Sequence, residues 1–147
     1  MDYVKRAMEL AADNVREGGQ PFGAVLVQGD EVIAEGVNLL HHKYDVSGHA
    51  ELEAIRKAQG SLETFDLSDC VMYASGEPCP MCLTAMYFSG IKKVYYSQTI
   101  HEAEEAGLGL SKYVYMELGK QNEQRDMDMV HVPVDDDELD ALSLYKR

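Results

Sequence analysis

Near the start of the chain, apolar residues recur at spacings of three and four. Val4, Ala7 and Ala11 belong to this pattern, which predicts a helix over residues 2–17. Asp2 is suited to cap the helix, and the two glycines that follow residue 17 end it. The apolar run that follows this helix has the pattern of a strand.

The rest of the chain alternates between strand and helix patterns. Strands are predicted over residues 22–27, 31–37, 70–75, 92–97 and 129–134. Helices are predicted over residues 49–58, 79–89, 101–106, 111–118 and 135–146, with Gly60 ending the first of these. Gly29-Asp30 separates the first two strands, which indicates an antiparallel hairpin. This order predicts an α/β fold, a three-layer α/β/α sandwich with a central mixed five-stranded sheet.

The composition suits a single domain over residues 1–147. Apolar residues make up 46% of the chain and charged residues 27%, as in ordinary globular proteins. The N-terminus has no apolar core of a signal peptide, and no apolar run is long enough to span a membrane. The three cysteines are few, and because their number is odd they cannot all pair, which argues against a disulfide framework. These features predict a cytoplasmic protein with reduced thiols.

The net charge is strongly negative. The chain has 13 Lys and Arg against 26 Asp and Glu, which gives a formal charge of −13. A protein that holds a nucleic acid needs basic side chains for phosphate contacts. The charge therefore argues against tRNA or DNA as a substrate and favours a small molecule.

The strongest chemical pattern is His49-Ala50-Glu51 followed by Pro78-Cys79-Pro80-Met81-Cys82. His49, Cys79 and Cys82 offer one nitrogen and two thiolates, which suit zinc. No fourth protein ligand stands at a natural spacing, so a catalytic site with one open position and one zinc ion per chain is expected. Glu51 is the carboxylate that the sequence fixes beside the metal, and it is the candidate proton shuttle.

Two other classes of protein fit parts of this pattern. A Cys-x-x-Cys pair alone is typical of redox proteins, in which His49 and Glu51 would have no purpose. A zinc-stabilised binding module would use the metal ligands but would not need Glu51 as a shuttle. The complete set of residues favours an enzyme.

The pattern His-x-Glu followed by Pro-Cys-x-x-Cys is the signature of zinc-dependent base deaminases, and the chain resembles the cytidine-deaminase-like superfamily. Within it, the chain is most similar to bacterial guanine deaminases. That similarity lies in residues 21–25, 35–38, 49–58, 77–82, 103–107 and 115–118. The tRNA adenosine deaminases and fungal cytosine deaminases share the zinc motif but match the region after Gly107 less well.

The resemblance implies hydrolytic deamination of a free nucleobase, with guanine to xanthine plus ammonia as the first candidate. It also implies a homodimer, since the superfamily is usually oligomeric, and a substrate contact from Asn38. From the residues alone, Asn38 equally fits a turn, and Phe22 equally fits a stack on the base or a core position. The backbone N–H of Ala50, at a helix N-terminus, is a candidate donor to a substrate carbonyl.

The sequence departs from the family at Leu108-Gly109-Leu110, where guanine deaminases tend to carry acids that hold the purine. A neighbouring acid among Glu102, Glu104 and Glu105, or one in the C-terminal tail, would have to replace that contact. Alternatively the pocket accepts another amino-substituted ring, such as cytosine, adenine, guanosine or an aminotriazine. The sequence leaves the preferred base open.

Overall fold

The structure is a computed structural model that describes residues 2–146. The first helix, α1, spans Tyr3–Arg16, and the side chain of Asp2 caps it by accepting a hydrogen bond from the Lys5 backbone N–H (3.0 Å). Its buried residues are Ala7, Ala11 and Asn14, which share one face at helical spacing. The predicted first helix is therefore confirmed to within one residue at each end.

Four strands form one mixed sheet. They are β1 (Gly23–Gln28), β2 (Glu31–Val37), β3 (Cys70–Gly76) and β4 (Val94–Gln98), in the spatial order β2-β1-β3-β4. Strand β1 pairs antiparallel with β2 and β3, whereas β3 and β4 are parallel. The predicted hairpin is confirmed, and Gly29 adopts a positive φ of 62° in its turn.

Helices cover both faces of the sheet. On one face, Ala7 of α1 packs with Val25 and Val27 of β1. On the other face lie α2 (Ala50–Leu62) and α3 (Pro80–Ser89). The larger core cluster lies there, and it includes Ala54, Ile55, Leu26, Met72 and Met86. This arrangement is the expected three-layer order, and it directs the starts of α2 and α3 to the same side of the sheet.

Helix α2 approaches β2 closely at Gly36. A Cβ atom added to Gly36 would lie 2.2 Å from the carbonyl oxygen of Ala50 and 2.9 Å from the backbone nitrogen of Ala54. The glycine is needed there because the first turn of α2 rests directly on the strand. Helix α2 also continues through Gly60 to Leu62, so the prediction that Gly60 ends it is wrong.

The predicted fifth strand is absent from the described residues. Residues 129–134 have no regular secondary structure, and the sheet has four strands, not five. Pro133 gives the physical reason, because it has no backbone N–H to donate to a neighbouring strand. The predicted terminal helix is also shorter, since a 3-10 turn at Asp137–Leu139 precedes a helix α6 limited to Ala141–Tyr145.

Two short helices follow β4. They are α4 (Ile100–Glu105), whose N-terminus is closed by a capping box between Thr99 and Glu102, and α5 (Leu110–Leu118). Contacts within the chain define one compact unit that ends at Met116 and a second that begins at Glu117. Among residues 2–146, no helix combines the length and the apolar character needed to cross a membrane.

Candidate active site

The three predicted metal ligands lie at the starts of two helices. His49 immediately precedes α2, and its side chain makes no capping hydrogen bond to that helix. Cys79 immediately precedes α3, and Cys82 lies in the first turn of α3. The predicted helix included Cys79, whereas in the structure Cys79 is the N-cap and its Sγ accepts a hydrogen bond from the Cys82 backbone N–H (3.4 Å).

The donor atoms of these residues converge. The His49 Nδ1 atom lies 3.3 Å from Cys79 Sγ and 3.5 Å from Cys82 Sγ. All three ligand atoms lie within 4.8 Å of one another, and no other such group occurs in residues 2–146. A nitrogen and a sulfur that share a tetrahedral zinc ion at usual bond lengths are about 3.6 Å apart. One imidazole and two thiol groups at this spacing fit zinc.

Hydrogen bonds within this group shift the pKa values of its members. Cys82 and His49 both hydrogen-bond to the Cys79 sulfur, and they lower the pKa of Cys79 to about 4 although burial opposes them. The hydrogen bond to Cys79 and burial raise the pKa of Cys82, and the hydrogen bond to Cys79 raises the pKa of His49. Metal ligation requires deprotonated ligands, so this set releases protons when a metal binds.

Glu51 lies in the first turn of α2, two residues after His49. The residue is only 7% exposed. Burial raises the pKa of its carboxyl group to about 7, against the opposing effects of its own backbone N–H, His49 and the Cys82 thiol. A carboxyl group with this pKa exchanges protons near neutral pH, as general acid–base chemistry requires.

A cavity of about 490 Å³ opens beside these residues. Its lining includes His49, Glu51 and Cys79, together with the predicted substrate contacts Phe22 and Asn38. The volume lies within the range of small-molecule sites, about 300–1,000 Å³. Ala50 is completely buried and its side chain is not part of the lining.

A network of amide groups holds Asn38, and the sequence did not single out its other members. The buried Nδ2 of Asn14, on α1, donates hydrogen bonds to the carbonyl oxygens of Gln20 (2.8 Å) and Asn38 (2.9 Å). The Asn38 side chain donates to Gln20 Oε1 (3.3 Å) and accepts from the Leu40 backbone N–H (3.0 Å). The sequence does contain one indication that Asn14 has a role, because it is a polar residue on the buried stripe of an amphipathic helix.

Tyr115 and Glu77 make hydrogen bonds that fix the segment immediately before Cys79. The Tyr115 hydroxyl donates a hydrogen bond to the carbonyl oxygen of Pro78 (2.6 Å), and burial raises the pKa of Tyr115 to about 12. Glu77 lines the cavity, and its Oε1 accepts a hydrogen bond from the Ile100 backbone N–H (3.0 Å). These contacts join segments far apart in sequence, so no local pattern could have predicted them.

The segment from 107 to 111 forms one wall of the cavity. Leu108 and Leu110 line it, as do Gly107, Gly109 and Ser111. The lining within residues 2–146 includes none of the candidate replacement acids at 102, 104 and 105. Two of these have other partners, since Glu102 belongs to the Thr99 capping box and Glu104 pairs with Lys112 (2.9 Å).

Comparison with known proteins identifies the family. Residues 1–98 match the cytidine and deoxycytidylate deaminase zinc-binding region, which is two thirds of the chain. The chain belongs to this family of zinc-dependent deaminases. The match contains the complete metal-ligand group and Glu51, and it agrees with the fold class predicted from the sequence.

The relatives of this deaminase include enzymes that act on a free base and enzymes that act on tRNA. The chain is 45% identical to the guanine deaminase of Bacillus subtilis (strain 168) over 124 residues, covering 84% of this chain and 79% of the relative. A tRNA-specific adenosine deaminase of Aquifex aeolicus is 36% identical over 95 residues, covering 65% of this chain and 63% of the relative. The tRNA enzyme is the more distant of the two.

Solved structures also show similarity between this chain and deaminases. The crystal structure of guanine deaminase from Bacillus subtilis matches with a TM-score of 0.91 at 39% identity, covering 98% of this chain and 91% of that chain. The protein NE0047, solved in complex with 2,6-diaminopurine, matches with a TM-score of 0.67 at 31% identity, covering 71% and 59%. The fold of this deaminase is therefore similar to that of the Bacillus subtilis guanine deaminase over nearly all of the chain.

Proposed function

We propose that this deaminase hydrolyses guanine to xanthine and ammonia, with one zinc ion per chain held by His49, Cys79 and Cys82. The observation that carries the chemistry is the buried Glu51 carboxyl in the lining of the same cavity as His49 and Cys79. The choice of guanine is supported by the 45% identity to the Bacillus subtilis guanine deaminase over most of the chain.

Glu51 is the catalytic acid and base. Zinc bound at the site lets a water molecule act as a nucleophile near neutral pH. Glu51 takes one proton from the attacking water and delivers it to the ring nitrogen beside the carbon under attack. It then takes the remaining proton of the added hydroxyl and delivers it to the amine, whose bond to the ring carbon breaks as the new carbonyl forms. The water oxygen replaces the amine, so guanine and water give xanthine and ammonia.

Three groups orient the base. The Asn38 side-chain amide retains one N–H and one acceptor lone pair for the substrate after its hydrogen bonds to Gln20 and Leu40. The Phe22 ring stacks on the base, and it is placed for this by packing against Gly76, where an added Cβ would lie 3.2 Å from the ring. The backbone N–H of Ala50, at the positive end of α2, favours a substrate carbonyl through its dipole, because the residue itself is fully buried.

The leucines at 108 and 110 weaken the case for guanine alone. If they leave one donor of the bound base unpaired, the cost is about 1–3 kcal/mol, which lowers kcat/KM by roughly 5- to 150-fold. An aminopyrimidine or aminotriazine with fewer donors on that side would not incur this cost. Guanine remains the first candidate, and aminopyrimidines and aminotriazines are its competitors.

A panel of substrates tests the proposal. Ammonia release by the zinc-loaded protein would be measured on guanine, cytosine, adenine, their nucleosides, an aminotriazine and a tRNA anticodon stem. We expect the highest kcat/KM on guanine and little or no action on the tRNA stem. A smaller aminopyrimidine or triazine as the best substrate would overturn the choice of guanine, and the tRNA stem as the best substrate would overturn the argument from net charge.

We also propose that the chain acts as a single deaminase domain in the cytoplasm and forms a homodimer. The three cysteines are unpaired, as expected in a reducing compartment. The homodimer is supported by exposed apolar residues near the C-terminus, such as Met127, Val130 and Leu142.

A further inference from the structure

The hydroxyl group of Ser111 is buried in the active-site wall without a partner. Ser111 lies in the first turn of α5 and lines the cavity that also contains His49 and Glu51. Within residues 2–146, its Oγ is the one buried side-chain nitrogen or oxygen atom that has no hydrogen-bond partner. A buried hydroxyl without a partner is unfavourable, and most buried polar groups in proteins are paired.

Two other polar side chains of the cavity wall already make hydrogen bonds within the protein. The amide of Asn38 is joined to Gln20 and to the Leu40 backbone, and Glu77 accepts from the Ile100 backbone. On the wall that contains Ser111, the neighbouring leucines offer no polar side-chain atom. Ser111 lines the cavity, so rotation about its Cα–Cβ bond turns this unpartnered hydroxyl toward a bound molecule.

We propose that Ser111 is a substrate-binding residue whose hydroxyl hydrogen-bonds to the ring edge of the bound base. This inference rests on the proposed deamination of a nucleobase in the same cavity. A hydroxyl both donates and accepts, so it pairs with a ring N–H as well as with a ring nitrogen or carbonyl. Ser111 thus binds an amino-substituted ring whether the polar edge of the ring donates or accepts the hydrogen bond.

The test variant is Ser111→Ala, with Ser111→Thr as the conservative rescue and Ser89→Ala as the matched control. Ser89 is a buried helical serine, whereas Ser111 is half-buried, and the Ser89 hydroxyl already hydrogen-bonds to the carbonyl oxygens of Ala85 (2.9 Å) and Met86 (3.1 Å). Removing an unpartnered hydroxyl leaves the melting temperature of the ligand-free protein unchanged or higher. Removing the partnered hydroxyl of Ser89 lowers it.

Binding would be measured by calorimetry in a Glu51→Gln background, so that the ligand is not consumed. The probes are guanine and 2,6-diaminopurine. For Ser111→Ala we expect the Kd to rise about 2- to 10-fold, the range for one hydrogen bond. Ser111→Thr and Ser89→Ala stay near the parent value. In the active protein, Ser111→Ala raises KM and leaves kcat nearly unchanged, because the contact holds substrate and transition state alike.

Two results would overturn the role of Ser111. One is an unchanged Kd for both probes in Ser111→Ala, and the other is a loss of thermal stability equal to that of Ser89→Ala, which would make the hydroxyl structural. Failure of the proposed function is a separate result, in which the wild-type protein releases no ammonia from guanine. The 2,6-diaminopurine binding and the ligand-free melting temperature then still test Ser111.

Discussion

Glu51 and its neighbour Glu53 show how two buried carboxylates two positions apart differ in role. Glu53 is 8% exposed, and its Oε1 pairs with Lys43 (3.3 Å) and Arg56 (2.9 Å). Glu51 lines the cavity, and burial raises its pKa to about 7. Of these two carboxylates, Glu51 is therefore the one that faces the cavity.

The first prediction concerns this pair. Glu51→Gln retains zinc and the folded structure and lowers kcat by at least about 10²- to 10⁴-fold, the usual contribution of a general acid–base group. Glu53→Gln is the control, and its kcat stays within a few-fold of wild type. Steady-state ammonia release measures both. A Glu51→Gln protein with nearly full activity would mean that another residue moves the protons.

The metal ligands allow a similarly matched test. Cys79→Ser and Cys82→Ser remove one of three ligands, so we expect strong loss of zinc in metal analysis of the purified proteins. Cys70→Ser is the control, because Cys70 is buried in β3 and is not part of the ligand group. Full retention of zinc by either ligand variant would refute the site.

At the residue scale, the sequence was sufficient where the chemistry depends on residue type and spacing. His49, Cys79 and Cys82 were predicted as ligands, and the structure brings their donor atoms together. Asn14 and Tyr115 were missed because their roles depend on contacts with residues distant in sequence. Their partners become visible only when α1 and α5 are packed in place.

At the element scale, local patterns predicted the helices and strands with strong periodicity and failed where tertiary contacts decide. Helices α1 and α3 and the β1–β2 hairpin follow from their patterns. Helix α2 passes through Gly60 because the packing of the rest of the helix offsets the cost of about 1 kcal/mol that a glycine adds relative to alanine. The apolar alternation at 129–134 did not produce a strand, since a strand needs a partner and Pro133 removes a donor.

Two glycines, one in a crowded position and one in an open position, test the packing of α2. Gly36→Ala places a Cβ against backbone atoms of Ala50 and Ala54, so we expect a loss of about 1–3 kcal/mol in the free energy of unfolding. Zinc retention should also fall, because α2 begins one residue after His49. Gly60→Ala, inside α2 with open space around it, should instead add about 0.5–1 kcal/mol.

Urea denaturation of the two glycine variants measures both changes. Equal stability of Gly36→Ala and wild type would contradict the close approach of α2 to β2. A loss in Gly60→Ala would contradict the helical path through that residue.

At the scale of the whole molecule, the apolar surface of the late segment is the main unexplained feature. Exposed apolar residues there are Met127, Met129, Val130, Val132, Val134, Leu139, Leu142, Leu144 and Tyr145. Extensive exposed apolar surface marks an interaction site in a soluble domain. We therefore predict a homodimer, which light scattering would report as about twice the chain mass of 16.4 kDa. A monomer at working concentration would contradict this.

The charge of the whole molecule favours a small substrate over a polynucleotide. With a formal charge of −13, the protein repels a polyanion at long range. This agrees with the lower sequence identity between the chain and its tRNA-specific relative. The sequence alone supports this preference for a small substrate because net charge needs no structure.

The most direct test of the central claim is product formation from guanine by the zinc-loaded protein. Ammonia and xanthine would be quantified together over several turnovers, with Glu51→Gln protein run in parallel. Hydrolytic deamination predicts one ammonia per xanthine with the wild-type protein and almost none with the variant. Folded, zinc-loaded protein that forms no xanthine from guanine would contradict the claim.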